Sequence, residues 1–555
     1  MGALGTSTWS CVRADAGMDI AATRKIVDLD QARPPVPVKG RRLSHTYHSI
    51  LFESPDDRIA EDGLKAPDFF VDLNCDQIVA AITAGRDEYN LKPFFHSSLR
   101  RVDAIHYRHE VMRDLENTAL LERVRSFAQK MRDMRNQLAR VQKLYYKEQK
   151  QAWFLDAVES YCDAIHAFAA DLSDAEVKSR GFLGFREYLT GYARSARFTA
   201  LESATQTLKA DLATVKYSVL IKGDRFTVRK YEKETDYSAD VEATFEKFKQ
   251  GAVKDYRVKF SETDDMNHIE AKILEFVGKL HPEVFGPLDE YCSRNANYTD
   301  DTVAAFDREI QFYLAYLDYT AALKHAGLRF CYPRVSDDSK EVYDCDAFDI
   351  ALAHKLVEQH ASVVSNDFCL KGTERILVVS GPNQGGKTTF ARMFGQLHYL
   401  ASIGCPVPGR EAQLFLFDQL FTHFEKEEKV ENLRGKLEDD LVRIHRILAQ
   451  ATSRSIIIMN EIFTSTTIQD ETFLSKRVMD EISVLDLLCV WVTFVDELAS
   501  YNPQTVSMVS TVVPENPALR TFKIVRQPAN GLAYAMAIAQ KYGVTHDSIM
   551  ERIKS

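Results

Sequence analysis

Nine consecutive residues, Gly381-Pro382-Asn383-Gln384-Gly385-Gly386-Lys387-Thr388-Thr389, combine glycines, a lysine and two threonines. Their spacing is G-x-x-x-x-G-K-[ST], and the chemistry it suits is phosphate binding. Small residues let backbone N–H groups close around phosphate oxygens, at the positive end of a following helix. Lys387 then reaches the β and γ phosphates of ATP, and the Thr388 hydroxyl ligates Mg²⁺. Further along, an apolar run ends in Asn460-Glu461. At such an edge one side chain supports the metal shell and the next carboxylate polarises the attacking water. Glu461 and Lys387 are therefore the candidate catalytic pair, and Thr388 and Asn460 the candidate metal ligands. Asn460 stands where an Asp is expected, which removes one negative charge near the metal.

These residues need a sheet to hold them. Arg375–Ser380 is a short apolar run that reads as a buried strand before the loop, and Phe390–Leu400 is helix-like after it. Ser455–Met459, Leu487–Thr493 and Thr505–Val509 are likewise nearly continuous apolar runs. Such runs fit a parallel sheet covered on both faces. The alternation with helical segments predicts an α/β P-loop ATPase domain over 331–555.

The rest of the 555 residues reads differently. Glycine and proline nearly vanish from 103 to 212, which suits long helices. Phe127, Met131, Met134, Leu138, Val141 and Tyr145 recur at spacings of three and four, an a/d seam for lengthwise helix packing. Residues 121–150 hold nine Lys/Arg and three acids, within a chain of net charge −10. A solvated helix face and a DNA-backbone contact both fit that stretch. Alternation across 217–231, with Gly223 at the turn, predicts a hairpin. Helical segments resume over 238–326. The expected organisation is an N-terminal arm and small mixed segment (1–100, with strand-like Phe69–Leu73), a helical lever/core domain with the hairpin (101–330), and the ATPase domain (331–555). The arm, 1–45, is proline-containing, and Met18 is an alternative start.

Nine scattered cysteines without C-x-x-C spacing suit a reducing cytoplasm and argue against a disulfide framework or zinc site. The acidic balance excludes a chain-wide basic coat, and no apolar run reaches the 18 residues of a membrane span. A cytoplasmic protein without membrane contact is expected.

Gly381–Thr389 resembles the Gly-Pro-Asn-x-Gly-Gly-Lys-Ser-Thr loop of the MutS mismatch-repair ATPases. Ala401–Pro408 is similar to the segment after that family's first helix. Ile458-Met459-Asn460-Glu461-Ile462 resembles its Met-Asp-Glu-Ile, with Thr464–Thr467 at its Gly-Thr-Ser turn, and Gly531–Ala539 resembles its closing helix. The resemblance implies a homodimer with composite ATP sites and nucleotide-coupled closure around DNA, as a clamp in mismatch repair or related repair or recombination. It also exposes departures. Asn460 replaces the metal-shell Asp, and Phe494 stands where a His follows Thr493. The trans-reaching Ser-Thr-Phe-x-x-Glu signature is most nearly Gly435-Lys436-Leu437-Glu438-Asp439-Asp440. The Phe-x-Glu wedge that intercalates at mismatches is not seen in residues 1–100, so a short form lacking the mismatch-recognition module is expected. The departures imply slow hydrolysis, with a weakly hydrolysing scaffold for protein partners as the alternative. An ABC-type ATPase would require a Leu-Ser-Gly-Gly signature, which is not found.

Overall fold

The computed structural model describes residues 47–57, 65–222, 225–232, 266–425, 435–513, 515–529 and 545–554. The arm at 1–45, the turn at Gly223 and the segment Gly531–Ala539 lie outside them.

Long helices follow where glycine and proline are scarce. Helix Thr118–Lys143 starts at Asn117, whose side chain accepts from the Ala119 and Leu120 N–H groups. Helix Lys147–Asp174 returns against it, after the connector Leu144–Tyr146. Phe127 stacks on Phe168 with ring centroids 4.3 Å apart, and Arg123 pairs with Asp171. Phe127, Met131 and Met134 are buried and Leu138 packs at the margin. The seam ends before Tyr145, which is 88% exposed, because Leu144 is extended (ψ 153°) and closes the helix. Helices Arg180–Ala193 and Ala196–Thr214 start at Ser179 and Ser195 caps. Helices His268–Leu280, Pro282–Arg294 and Asp301–His325 complete this part of the chain.

Several cations of the basic stretch, on the seam helix and at the start of the next, are paired within the molecule. Arg125 pairs with Glu122 and Asp318, Arg132 with Glu88, Arg135 with Asp307, and Lys147 with Asp289. These ion pairs fit a solvated helix face, one of the two expectations for it.

The expected hairpin is present as β1 (Tyr217–Lys222) and β2 (Arg225–Lys230). Its register pairs Ser218 with Arg229, Leu220 with Thr227 and Lys222 with Arg225. Those residues share one face, because side chains alternate along a strand. The other face carries Phe226 to Phe276 of helix His268–Leu280, centroids 6.3 Å apart.

From Phe330 onward strands and helices alternate. The strands are β3 (Phe330–Cys331), β4 (Arg334–Ser336), β5 (Val342–Ala347), β6 (Asn366–Leu370), β7 (Ile376–Ser380), β8 (Val407–Pro408) and β9 (Glu411–Phe415). Next come β10 (Leu420–Phe424), β11 (Ile456–Asn460), β12 (Leu488–Val492), β13 (Thr505–Val513) and β14 (Asn516–Arg526). One sheet has the order β10-β11-β12-β7-β13-β14. Its first five strands are parallel and β14 is antiparallel. A smaller sheet has the order β4-β9-β5-β6.

The large sheet is covered on both faces, as its apolar strands require. Leu377, Val379, Ile458 and Val490 share a cluster with Phe390, Phe394 and Leu397 of helix Lys387–Ser402. Ile376, Val378, Ile457, Met459 and Trp491 face helices Lys436–Gln450 and Ile468–Leu485 through Ile444, Ile447, Met479 and Ile482. The expected mixed α/β architecture with a parallel-strand sheet is therefore present. The first cluster does not stop at the sheet, because it continues through the helical residues to Ile50.

Phe69–Leu73 departs from its strand-like reading. Phe69–Asp72 is a helical turn closed by Leu73; Phe69, Phe70 and Leu73 are buried while Val71 is 70% exposed. Two adjacent inward side chains break the period of two that a half-buried strand demands. Short apolar runs do not separate the two cases.

Candidate nucleotide-binding site

β7 delivers the chain to the loop, and helix Lys387–Ser402 leaves it. Between them Gly381 (φ 113°), Gln384 (φ 58°) and Gly386 (φ 94°) adopt left-handed backbone, which a residue without Cβ takes at least cost. Gly385 is constrained by space instead. A Cβ there would lie 2.1 Å from the Ser510 hydroxyl and 3.0 Å from the Pro382 carbonyl. Ser510, on β13, donates its hydroxyl to the Gly385 carbonyl at 2.8 Å.

Lys387 is 4% exposed and folded back onto its own loop. Its Nζ donates to the carbonyls of Gly381 (3.0 Å) and Pro382 (3.3 Å) and to Asn383 Oδ1 (3.3 Å). Glu461 Oε1 lies 3.7 Å away, and the Phe494 ring covers the ammonium at 4.2 Å. Burial lowers the lysine pKa, and Glu461 partly offsets this.

β11 runs beside β12 with Asn460 level with Val492, which sets the next two residues. Thr388 Oγ1 donates to Asn460 Oδ1 at 2.8 Å. Two oxygens at that separation can occupy neighbouring corners of an octahedron whose ligands lie about 2.0–2.1 Å from the ion, the geometry Mg²⁺ demands. Both ligands are neutral, so the set fits Mg²⁺ with the remaining charge supplied by phosphates. Glu461 itself has φ 53°, fixed by its N–H to the Val492 carbonyl at 2.9 Å. Phe463, buried with φ 65°, continues the strained turn.

The loop Gly381–Thr389, Asn460, Glu461 and Phe494 thus converge as the sequence placed them. The signature-like segment opens helix Lys436–Gln450, and Asp440 turns back within the same chain. Its Oδ2 accepts from the Phe463 N–H at 3.4 Å, and its Oδ1 lies 3.6 Å from His423 Nε2. Burial pushes the His423 pKa down to about 4 and the Asp440 pKa up. Sequence reasoning missed Ser510 and Arg520, whose Nε donates to the Asn383 carbonyl at 3.1 Å. No local motif could flag them, because β13 and β14 meet the loop only once the sheet has formed.

A doubly covered parallel sheet with a glycine loop, a buried lysine and a strand-end carboxylate is the architecture of the P-loop class. Residues 377–554 match the family model for MutS domain V. The chain is 29% identical over 226 residues to the DNA mismatch repair protein MutS of Orientia tsutsugamushi (strain Boryong), covering 39% of this chain and 24% of that protein. Against the protein of the same name from Thermotoga maritima, identity is 25% over 299 residues, 52% of this chain and 36% of the relative. The Fervidobacterium nodosum protein gives 25% over 304 residues, with 53% and 35% covered. The chain thus spans about a quarter to a third of these relatives' length. Among the described residues, no helix is long and apolar enough to cross a membrane.

Proposed function

We propose that this chain is an ATP-binding, slowly ATP-hydrolysing MutS-like protein that acts on DNA as a homodimeric, nucleotide-gated clamp in mismatch repair or related repair or recombination. The observation that carries it is the convergence of Lys387, Thr388, Asn460 and Glu461 at the ends of β7 and β11. In this reading the N–H groups of Gly381–Thr389 wrap the phosphates, and Lys387 exchanges loop carbonyls for phosphate oxygens. Thr388 and Asn460 would hold Mg²⁺, which would supply charge neutralisation to the phosphates. Glu461 orients water toward the γ-phosphorus and accepts its proton. Phe494 over Lys387 and the uncharged Asn460 favour slow turnover. The helical portion 101–330 serves as lever and core between the segment before residue 100 and the ATPase domain. A cytoplasmic setting fits this role.

Steady-state ATPase assays test the chemistry. Glu461→Gln lowers turnover about 100-fold or more while ATP binding persists. An unchanged rate overturns the role of Glu461, and an immeasurable wild-type rate favours the scaffold reading.

DNA contact is supported by the outer face of the β1–β2 ribbon. Lys222, Arg225 and Arg229 are exposed there, beside Leu220 at 47% exposed, and a two-stranded ribbon fits the major groove. Charge reversal of all three cations weakens binding and reduces the salt slope of log K by about 3, if each meets one phosphate. Gel shifts with duplex, mismatched and branched DNA at several salt concentrations read this out. Mass measurement with and without a non-hydrolysable ATP analogue reads the dimer, and a monomer under both conditions removes the clamp.

A further inference from the structure

The loop carries a second cation that its motif does not contain. Arg520 of β14 donates Nε–H to the Asn383 carbonyl at 3.1 Å, and its charge acts on Lys387. Its strand is fixed around it. The Thr511 and Thr521 hydroxyls are 2.6 Å apart, Asn366 Nδ2 donates to the Phe522 carbonyl at 3.2 Å, and the Ile524 N–H donates to Asn366 Oδ1 at 2.7 Å. The β13–β14 register shifts between Ser510 and Val512, and a Cβ built on Gly386 would sit 3.7 Å from the Phe522 carbonyl oxygen. This ribbon therefore lies against the same turn that would wrap phosphate.

The charge balance gives that placement a consequence. Among the described residues, Lys387 and Arg520 bring positive charge to the loop, Glu461 brings negative charge, and Asn460 brings none. With an Asp at 460 a divalent cation is needed to separate that carboxylate from the phosphates, whereas an amide imposes no such repulsion. A guanidinium presents several donors in one plane, so a loop carbonyl and a phosphate oxygen can share it.

We propose that Arg520 is a phosphate-binding residue of this site, and that Lys387 and Arg520 together hold a nucleoside triphosphate with weak dependence on a divalent cation. The proposal rests on the reading of Gly381–Thr389 as a nucleotide site. Calorimetric titration of the full chain with ATP, once in Mg²⁺ and once in EDTA, tests both. Wild type loses less than tenfold in affinity on chelation. Arg520→Ala loses tenfold or more relative to wild type in EDTA, the scale of one hydrogen bond to a charged group. Arg520→Lys recovers part of the loss, and Asn460→Asp loses tenfold or more on chelation. Melting temperatures without nucleotide show whether each variant folds, and Arg520→Gln replaces the alanine variant if that one does not. Wild-type binding in Mg²⁺ with a chelation loss of tenfold or more, or with neutral Arg520 variants in EDTA within tenfold of wild type, overturns the proposal alone. Wild type that binds ATP in neither buffer removes the nucleotide site and the proposal with it.

Discussion

Gly385 has no room for a methyl group, because Ser510 and the Pro382 carbonyl already occupy its Cβ direction. Gly385→Ala must therefore displace either the loop or β13, and ATP affinity falls at least tenfold by titration while the melting temperature drops only modestly. Asp344 on β5 poses a different problem. It is 1% exposed, and neither carboxylate oxygen has a hydrogen-bond partner among the described residues. Burial first, then the charges of Asp367 and Asp346, push its pKa up to about 9, against about 3.9 for an unfolded aspartate. The folded state therefore keeps its proton across the window between those values while the unfolded state gives it up. The contribution of Asp344 to stability is complete below about pH 4 and declines as pH rises toward 9. Asp344→Asn removes that decline. Melting curves at pH 5 and pH 8 should show the variant gaining a few degrees on wild type at the higher pH, and a constant difference would refute the assignment.

Elements were legible where one physical signal dominated. β7, β11 and β12 could be read because they are apolar on both faces, and the start of β13 because Val506, Met508 and Val509 are apolar. The helix pair could be read because Phe127, Met131 and Met134 keep one phase. β10 and β14 escaped, since His423 in the first and Arg520, Lys523 and Arg526 in the second interrupt the apolar pattern. The loop and the Asn460-Glu461 edge announced themselves by spacing alone. Their cross-strand supports, Ser510 and Arg520, had no local signature to read. The helix pair yields its own expectation. Phe127 is 2% exposed and stacks on Phe168, so Phe127→Ala should cost about 3–5 kcal/mol. Urea unfolding measures this, and a cost under about 1 kcal/mol would mean that the two helices do not depend on this contact.

At the scale of the whole molecule, the large sheet and the N-terminal helices share packing rather than merely adjoining. The Tyr399 hydroxyl donates to the Phe95 carbonyl at 2.7 Å. Arg443 holds Asp72 at 3.0 Å, and Gln396 donates to the Leu73 carbonyl at 2.9 Å. A Cβ built on Gly395 would lie 2.5 Å from Leu73 and 2.7 Å from Ile458, so this glycine lets the N-terminal segment approach the P-loop helix closely. A fragment of residues 331–555 would expose Tyr399, whose ring packs edge-on against Phe69 and Phe70, and should be insoluble or bind the hydrophobic dye ANS, whereas one beginning at residue 47 should melt cooperatively. A soluble 331–555 fragment with a sharp melt would contradict this.

The seat at Gly395 also bears on inheritance. A gene that acquired only the codons for the large sheet would receive a glycine loop whose supporting helix had lost its neighbour. Shuffling of this module between chains should therefore carry the residues around Leu73 along with it, although they lie far away in the sequence and contribute no atom to the chemistry.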